Sequence, residues 1–147
     1  MGWVIERHGA VYHQEWGWGE QFEGLVAQIV ARFMEGHDPR RERAWIAEHG
    51  GLRVGSIFLV AKTLSVAKLR LLLVDPAARG LGVGQRLVTE CVHFARAAGY
   101  RKIVLWTQSI LGPARHIYAK AGFRRVGQEP NEEFGKGLVS ETWELKL

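Results

Sequence analysis

Leu69-Arg70-Leu71-Leu72-Leu73-Val74-Asp75-Pro76-Ala77-Ala78-Arg79-Gly80-Leu81-Gly82-Val83-Gly84 is the stretch that decides how this chain folds. The apolar run from Leu69 to Val74 reads as a buried strand. Asp75-Pro76 ends it, because proline has no N–H for the ladder. A glycine-rich turn follows. Beyond it Leu87, Val88, Cys91, Val92, Ala95 and Ala98 recur at helical spacing, and Gly99 supplies a left-handed stop. Strand, glycine turn and amphipathic helix together suit a phosphate. Glycine lacks a Cβ, so the backbone can come close to a ligand. The first N–H groups of a helix have no partners of their own and, with the helix dipole, favour an anion. Arg79 adds a positive charge at the rim. No Gly-Lys-Ser/Thr follows, which excludes a P-loop, and the third glycine of the dinucleotide fingerprint is absent. On the loop alone, a purely structural strand-to-helix turn stays open.

Outward from the loop, the rest of the chain reads as short alternating elements. Upstream, Trp3-Val4-Ile5 is expected to be a first strand or an ordered arm, and a helix could begin between His8 and Trp16. Gly17-Trp18-Gly19 breaks it. Phe22, Leu25, Val26, Ile29, Val30 and Phe33 mark an amphipathic helix ending at Gly36. Asp38-Pro39 signals a turn or a helix start. Ala44–Glu48 and Arg53–Ala61 read as strands around His49-Gly50-Gly51, and a turn near Thr63–Ser65 leads into the Leu69 strand. Downstream, Lys102–Thr107 is a strand that a helical crossover makes parallel to the Leu69 strand. Pro113 suits a first helical turn, with Ala114, Ile117, Tyr118 and Ala121 on one face and Gly122 as the cap. Phe123–Val126 and Glu141–Leu147 read as closing strands around the segment Asn131–Gly137. The expected fold class is α/β: one mixed, mostly antiparallel sheet with helices on both faces.

Length and composition agree with one domain over residues 1–147. No apolar run approaches a membrane span, and Glu6, Arg7 and His8 interrupt any signal peptide. A cytoplasmic protein without membrane association is expected. Cys91 is the only cysteine and lies on the apolar face of its helix, which excludes an internal disulfide. The net charge of +5 admits nucleic acid or a polyphosphate ligand. Arg40-Arg41-Glu42-Arg43 and Arg124-Arg125 are short clusters, read as solvated surface. No strand carries an aromatic-basic stripe, so direct nucleic-acid binding is not expected. An exposed strand edge or helix would allow a homodimer.

With its context, Arg79-Gly80-Leu81-Gly82-Val83-Gly84 resembles the Arg-x-x-Gly-x-Gly pyrophosphate loop of the GNAT family of N-acetyltransferases. A second stretch, Ala114-Arg115-His116-Ile117-Tyr118-Ala119-Lys120-Ala121-Gly122-Phe123, is similar to that family's Tyr-x-Lys-x-Gly-Phe helix. The likeness is nearest to the acetyltransferase half of proteins that fuse a MarR-type DNA-binding domain to such a domain. It is carried by Ala67–Val74, Ala95–Tyr100 and Leu105-Trp106-Thr107. No winged-helix segment is present, so either the chain is a stand-alone relative or a partner domain is absent from it. The family's second signature often begins with an asparagine seven residues before the tyrosine. Leu111 stands there, and that role is left unassigned.

The resemblance implies direct transfer of acetyl from acetyl-CoA to a primary amine in a ternary complex, on a small molecule or a peptide, with no metal. Acetyl-CoA is the implied co-substrate. Its pyrophosphate would lie on backbone amides from Arg79 through Gly80, Leu81, Gly82, Val83 and Gly84 to Gln85, with Lys120 nearby. Its thioester oxygen would meet backbone N–H groups around Leu72 to Val74, Leu73 and Val74 among them, where the family has a bulge and splayed strands. Tyr118 stands where the family's general acid stands, and a phenol and a thiol have comparable ordinary pKa values. A packed helix tyrosine is the alternative. No general base stands out among Glu48, Asp75, His116 and Glu141, and a water relay is as plausible. A non-catalytic acyl-CoA-binding regulatory domain is the rival reading.

Lys68 and Arg70 are the oddity. Strand alternation places them on one face with Leu72 and Val74. Two cations on a central strand are costly to bury unpaired. Either a carboxylate such as Glu48 pairs with them, or Arg70 receives an acidic acceptor, for example the carboxylate of an amino acid. Trp45 and Trp106 could wall that acceptor site or pack in the core. Arg70, Trp106 and Glu48 are the candidate acceptor residues.

Overall fold

The computed structural model describes all residues, 1–147. In chain order the elements are α1 (Gly2–Trp16), α2 (Glu20–Gly36), β1 (Arg43–His49), β2 (Leu52–Ala61), β3 (Val66–Val74), α3 (Val83–Ala97), β4 (Lys102–Gln108), α4 (Gly112–Lys120), β5 (Arg124–Pro130) and β6 (Val139–Lys146). A 3₁₀ turn at Pro76–Ala78 links β3 to the glycine loop. One six-stranded sheet runs β1-β2-β3-β4-β6-β5. Only the β3–β4 pair is parallel, as its crossover through α3 requires. The mixed, mostly antiparallel α/β sheet is thus the observed fold.

The N-terminus departs from expectation. Trp3-Val4-Ile5 is neither strand nor arm but the first turn of α1. A run of three apolar residues has no period of its own. The face that decides is Val4, His8 and Val11, spaced four and three apart and all buried. α1 ends at Gly17, which takes a left-handed φ of 73° and donates to the His13 carbonyl. α1 and α2 form a hairpin over one sheet face. Tyr12 stacks on Phe22 with centroids 4.6 Å apart, and Trp18 meets Phe22 edge-on at 5.0 Å. This core also takes in Val26, Val30, Phe33 and Phe58.

The opposite face carries α3 and α4 over Ile57, Leu59, Leu69, Leu72, Ile103 and Leu105. Cys91 lies fully buried here, and burial pushes its thiol pKa up, which marks it as a core residue. Trp45 belongs to this core too, edge-on to Phe94 at 5.6 Å, and so is not an acceptor-site wall. Two glycines permit close packing. A Cβ on Gly55 would stand 2.9 Å from the Leu73 carbonyl oxygen, and one on Gly84 would stand 2.5 Å from Ile117 Cδ1.

β3 does not alternate regularly. Leu71 has φ 55°, and the register with β2 slips between Ser56 and Phe58. This bulge turns the strand by one residue. Lys68, Arg70 and Leu71 therefore face α1 and α2, whereas Leu72 joins the core under α3 and Val74 comes against Gly84. The expectation that Lys68, Arg70, Leu72 and Val74 share one face is corrected by that extra residue. Ser56, fully buried, donates its hydroxyl to the Leu71 carbonyl over 2.8 Å and satisfies the group that the bulge takes out of the ladder.

Candidate active site

β3 and β4 pair only from Val66 to Lys68 and from Lys102 to Val104. Beyond that point they diverge, β3 through its bulge and β4 towards β6. Two cavities open at the divergence, and Tyr12, Leu72, Leu111 and Ala114 line both.

The first cavity, of about 420 Å³, lies at the glycine loop. Leu73 and Val74 form its wall on β3. Arg79, Gly80, Gly82, Val83, Gly84 and Gln85 form its rim, and His116 and Lys120 border it from α4. Gly80 and Gly82 adopt left-handed φ values of 84° and 78°, which turn the chain into α3. Gly84 has a different reason to be glycine, namely the approach of α4. Leu81 lies apart: its side chain is 58% exposed and outside the cavity. Arg79 is not a free charge, because Glu15 of α1 takes both guanidinium nitrogens, Nη1 to Oε2 at 3.1 Å. The N-terminus of α3 remains open, with no side chain capping it. Backbone amides and a helix N-terminus at the floor of an open cleft fit a pyrophosphate. The splayed strand above them leaves room for an extended ligand.

The second cavity, of about 310 Å³, lies on the α1–α2 side. Lys68 and Arg70 line it from β3, Trp106 and Gln108 from β4, and Tyr118 from α4. The sequence brings Arg70, Trp106 and Tyr118 to one place, but not Glu48. Glu48 is exposed on the edge strand β1 and lines neither cavity. It pairs with neither Lys68 nor Arg70, and no carboxylate does so elsewhere. Lys68 instead stands over Trp106, Nζ 4.4 Å from the ring centroid. Burial, then Arg70 and Lys62, bring the Lys68 pKa down to about 8. Burial, then Arg32, lower that of Arg70. Both cations are therefore short of negative charge.

Tyr118 is buried, 5% exposed. Burial raises its phenol pKa, and Tyr12 and Cys91 raise it further, so the hydroxyl keeps its proton throughout the working range. The other base candidates are committed or displaced. Asp75 binds Arg7 (Nη2–Oδ2 2.8 Å) and caps the Ala77 amide. Glu141 is buried between Arg115, Arg125 and the Trp143 indole N–H, at 2.9, 3.2 and 3.1 Å. Burial pushes its pKa up, but those hydrogen bonds outweigh burial and hold the carboxyl below its ordinary value. His116 borders the glycine-loop cavity only. Reasoning from sequence missed Tyr12 and His8 of α1 and Gln108 of β4, which all line the second cavity.

A profile described as the acetyltransferase (GNAT) family matches residues 8–123. The chain belongs to that family. Among curated proteins it is 30% identical over 135 residues to "Probable N-acetyltransferase family 8 member 5" of Mus musculus, covering 83% of this chain and 58% of that one. It is 31% identical over 104 residues to N-acetylaspartate synthetase of Danio rerio, covering 70% of this chain and 36% of that one. The chain therefore spans less than two thirds of either relative. Among solved structures, yncA of Salmonella typhimurium, determined with its cofactor acetyl-CoA, superposes with a TM-score of 0.76 at 21% identity, over 99% of this chain and 87% of that one.

Proposed function

We propose that the chain transfers the acetyl group of acetyl-CoA directly to the primary amine of a small carboxylate-bearing acceptor, in a ternary complex. The carrying observation is the pair Lys68 and Arg70: half-buried, without a carboxylate partner, and lining a cavity that meets the glycine-loop cleft at Leu72. Family membership and the relatives' names support the acetyl chemistry. The name N-acetylaspartate synthetase describes a relative whose product carries carboxylates.

Bound acetyl-CoA would supply an activated acetyl carbonyl. Backbone amides of the loop, from Gly80 to Gln85, would hold the pyrophosphate, with Lys120 near it. N–H groups of Leu73 and Val74 on the splayed end of β3 would polarise the thioester oxygen. Tyr118 would supply the proton that the departing sulfur needs. Arg70 would fork onto the acceptor carboxylate, Lys68 would add charge, and Trp106 would shield one side of the acceptor. This is the reading of a cytoplasmic enzyme, one whose sequence stands near the acetyltransferase half of MarR fusions.

Free-thiol release from acetyl-CoA tests it, against amino acids, polyamines, aminoglycosides and lysine-bearing peptides. Wild type and Tyr118→Phe are run together, with CoA binding followed by calorimetry. Turnover on amino acids, lowered in Tyr118→Phe, is expected. Tight CoA binding with no turnover on any class would establish an acyl-CoA-binding regulatory domain instead.

A further inference from the structure

In the whole molecule two buried side-chain polar atoms lack a hydrogen-bond partner, His8 Nε2 and Gln108 Oε1. Both residues line the cavity that holds Lys68, Arg70 and Tyr118. A buried polar atom left without a partner is expensive, so native proteins rarely keep one without a reason. Both can accept a hydrogen bond, Gln108 because its Nε2 is given to the Ser140 hydroxyl at 3.3 Å, and two such acceptors on residues of one cavity call for a donor with at least two N–H bonds. A primary amine is such a donor.

His8 is the better defined of the two. It is 1% exposed, on the buried face of α1, beside the stacked Tyr12 and Phe22 at ring distances of 5.8 and 6.5 Å. Its Nδ1 lies 2.8 Å from the Val4 carbonyl oxygen, which can only accept a hydrogen bond. Nδ1 therefore carries the hydrogen, and Nε2 is left with its lone pair. Burial, opposed by the Val4 hydrogen bond, lowers the ring pKa to about 4. Lys68 and Arg70 on β3 line the same space, as does Glu133 from the β5–β6 connection. Near neutral pH the imidazole is a fixed, neutral acceptor.

We propose that His8 is the proton acceptor of the transfer, its Nε2 receiving one amine N–H while Gln108 Oε1 receives the other. The inference rests on the acetyl-transfer reading above and adds to it the group that the base candidates Glu48, Asp75, His116 and Glu141 do not supply. The acceptor reacts as its neutral amine, its ammonium proton having gone to solvent; as that nitrogen bonds to the acetyl carbonyl carbon, its N–H becomes acidic, and that proton passes to Nε2. The carbon–sulfur bond breaks, and the sulfur takes its proton from the Tyr118 hydroxyl. His8 and Tyr118 then return to their starting states by proton exchange with solvent. The acceptor is thus read at both ends: carboxylate at Arg70 and Lys68, amine at His8 and Gln108.

The test uses the full chain and an acceptor amino acid that wild type turns over. Absence of wild-type turnover on every amine would overturn the acetyl-transfer reading itself. Given turnover, His8→Phe keeps an aromatic ring beside Tyr12 and Phe22 but removes the acceptor. It is expected to lower kcat by roughly 10²-fold, the usual size of a general-base contribution, with acetyl-CoA affinity unchanged by calorimetry. His8→Ala is expected to regain activity with added imidazole, which a packing role would not allow. Independently of activity, ¹⁵N spectra of the histidine rings are expected to show His8 protonated at Nδ1 and bare at Nε2. Unchanged kcat in a folded His8→Phe, absent imidazole rescue, or a proton on Nε2 would each overturn the proposal.

Discussion

The hydroxyl of Ser56 donates to the carbonyl of Leu71 over 2.8 Å, and through that bond β2 holds the bulge at which β3 parts from β4. The bulge decides what each side of the site sees. Residues before it, Lys68 and Arg70, face the second cavity, and residues after it, Leu73 and Val74, face the glycine loop. Leu71 holds a left-handed φ that costs a leucine about 1–2 kcal/mol.

Ser56→Ala should therefore cost more than a buried methyl swap. It leaves the Leu71 carbonyl without its partner, a loss of about 1–3 kcal/mol. Tm is expected to fall by several degrees, and kcat/KM by more than the stability loss explains at 25 °C, since the two cavities lose their alignment. Thermal melts and steady-state kinetics check this. Full activity at reduced Tm would show that the bulge persists without the bond.

Gly84→Ala places a Cβ 2.5 Å from Ile117 Cδ1 and 3.2 Å from Val74 Cγ2. Ile117 must swing its Cδ1 aside within the packed core between α3 and α4. Overpacking of this kind costs about 1–3 kcal/mol. Trimming the neighbour, as Gly84→Ala with Ile117→Val, should recover most of the loss. Urea unfolding of the single and double variants measures it, and acetyl-CoA affinity is expected to follow the same order.

Much of this arrangement was legible in the sequence. The β3–loop–α3 unit announces itself by an apolar run, a Pro, spaced glycines and a helical period, all of them local signals. Arg70, Trp106 and Tyr118, singled out by motif and strand position, line one cavity. The bulge was not legible residue by residue, because nothing in Leu-Leu-Leu says which leucine takes a positive φ; that is set by the partner strand and Ser56. Glu48 was misplaced for a similar reason, since strand order, not spacing, puts β1 at the sheet edge with β2 between it and β3. His8 was hidden by type. Counted as apolar, it completes the Val4–His8–Val11 face of α1, and a polar residue on such a face is a signal in its own right.

Arg70→Ala should raise KM for a carboxylate-bearing amine by about 10- to 100-fold, the loss of roughly 1.5–3 kcal/mol that a charged hydrogen bond contributes. A matched amine lacking the carboxylate should be turned over equally by wild type and variant. Lys68→Met should give a smaller KM effect, because the Lys68 ammonium sits over Trp106 as a point charge rather than a fork. Steady-state kinetics with the two amines separates these outcomes. Equal KM changes for both amines would assign Arg70 to packing rather than to the carboxylate.

Acid should destabilise the protein in two separate windows. The His8 pKa lies below its ordinary 6.5, at about 4 in the fold, so the unfolded chain binds this proton first. The resulting stability is fully present above about pH 6.5 and is lost as pH falls towards 4, up to about 3 kcal/mol at 1.4 kcal/mol per pH unit. Glu141 is also depressed, by its bonds to Trp143, Arg125 and Arg115, which outweigh its burial. Its contribution is present above about pH 4.5, the ordinary carboxyl value, and fades below it as the carboxylate takes a proton. His8→Phe should flatten the slope between pH 6.5 and 4 and leave the lower window intact. Glu141→Gln should lower stability at neutral pH by about 2–4 kcal/mol, since Arg115 and Arg125 lose their shared carboxylate, and should flatten only the region below pH 4.5. Urea unfolding at pH 8, 5.5 and 3.5 resolves the two. A His8→Phe profile parallel to wild type between pH 8 and 5.5 would mean that the folded ring takes up its proton over the same range as the unfolded one.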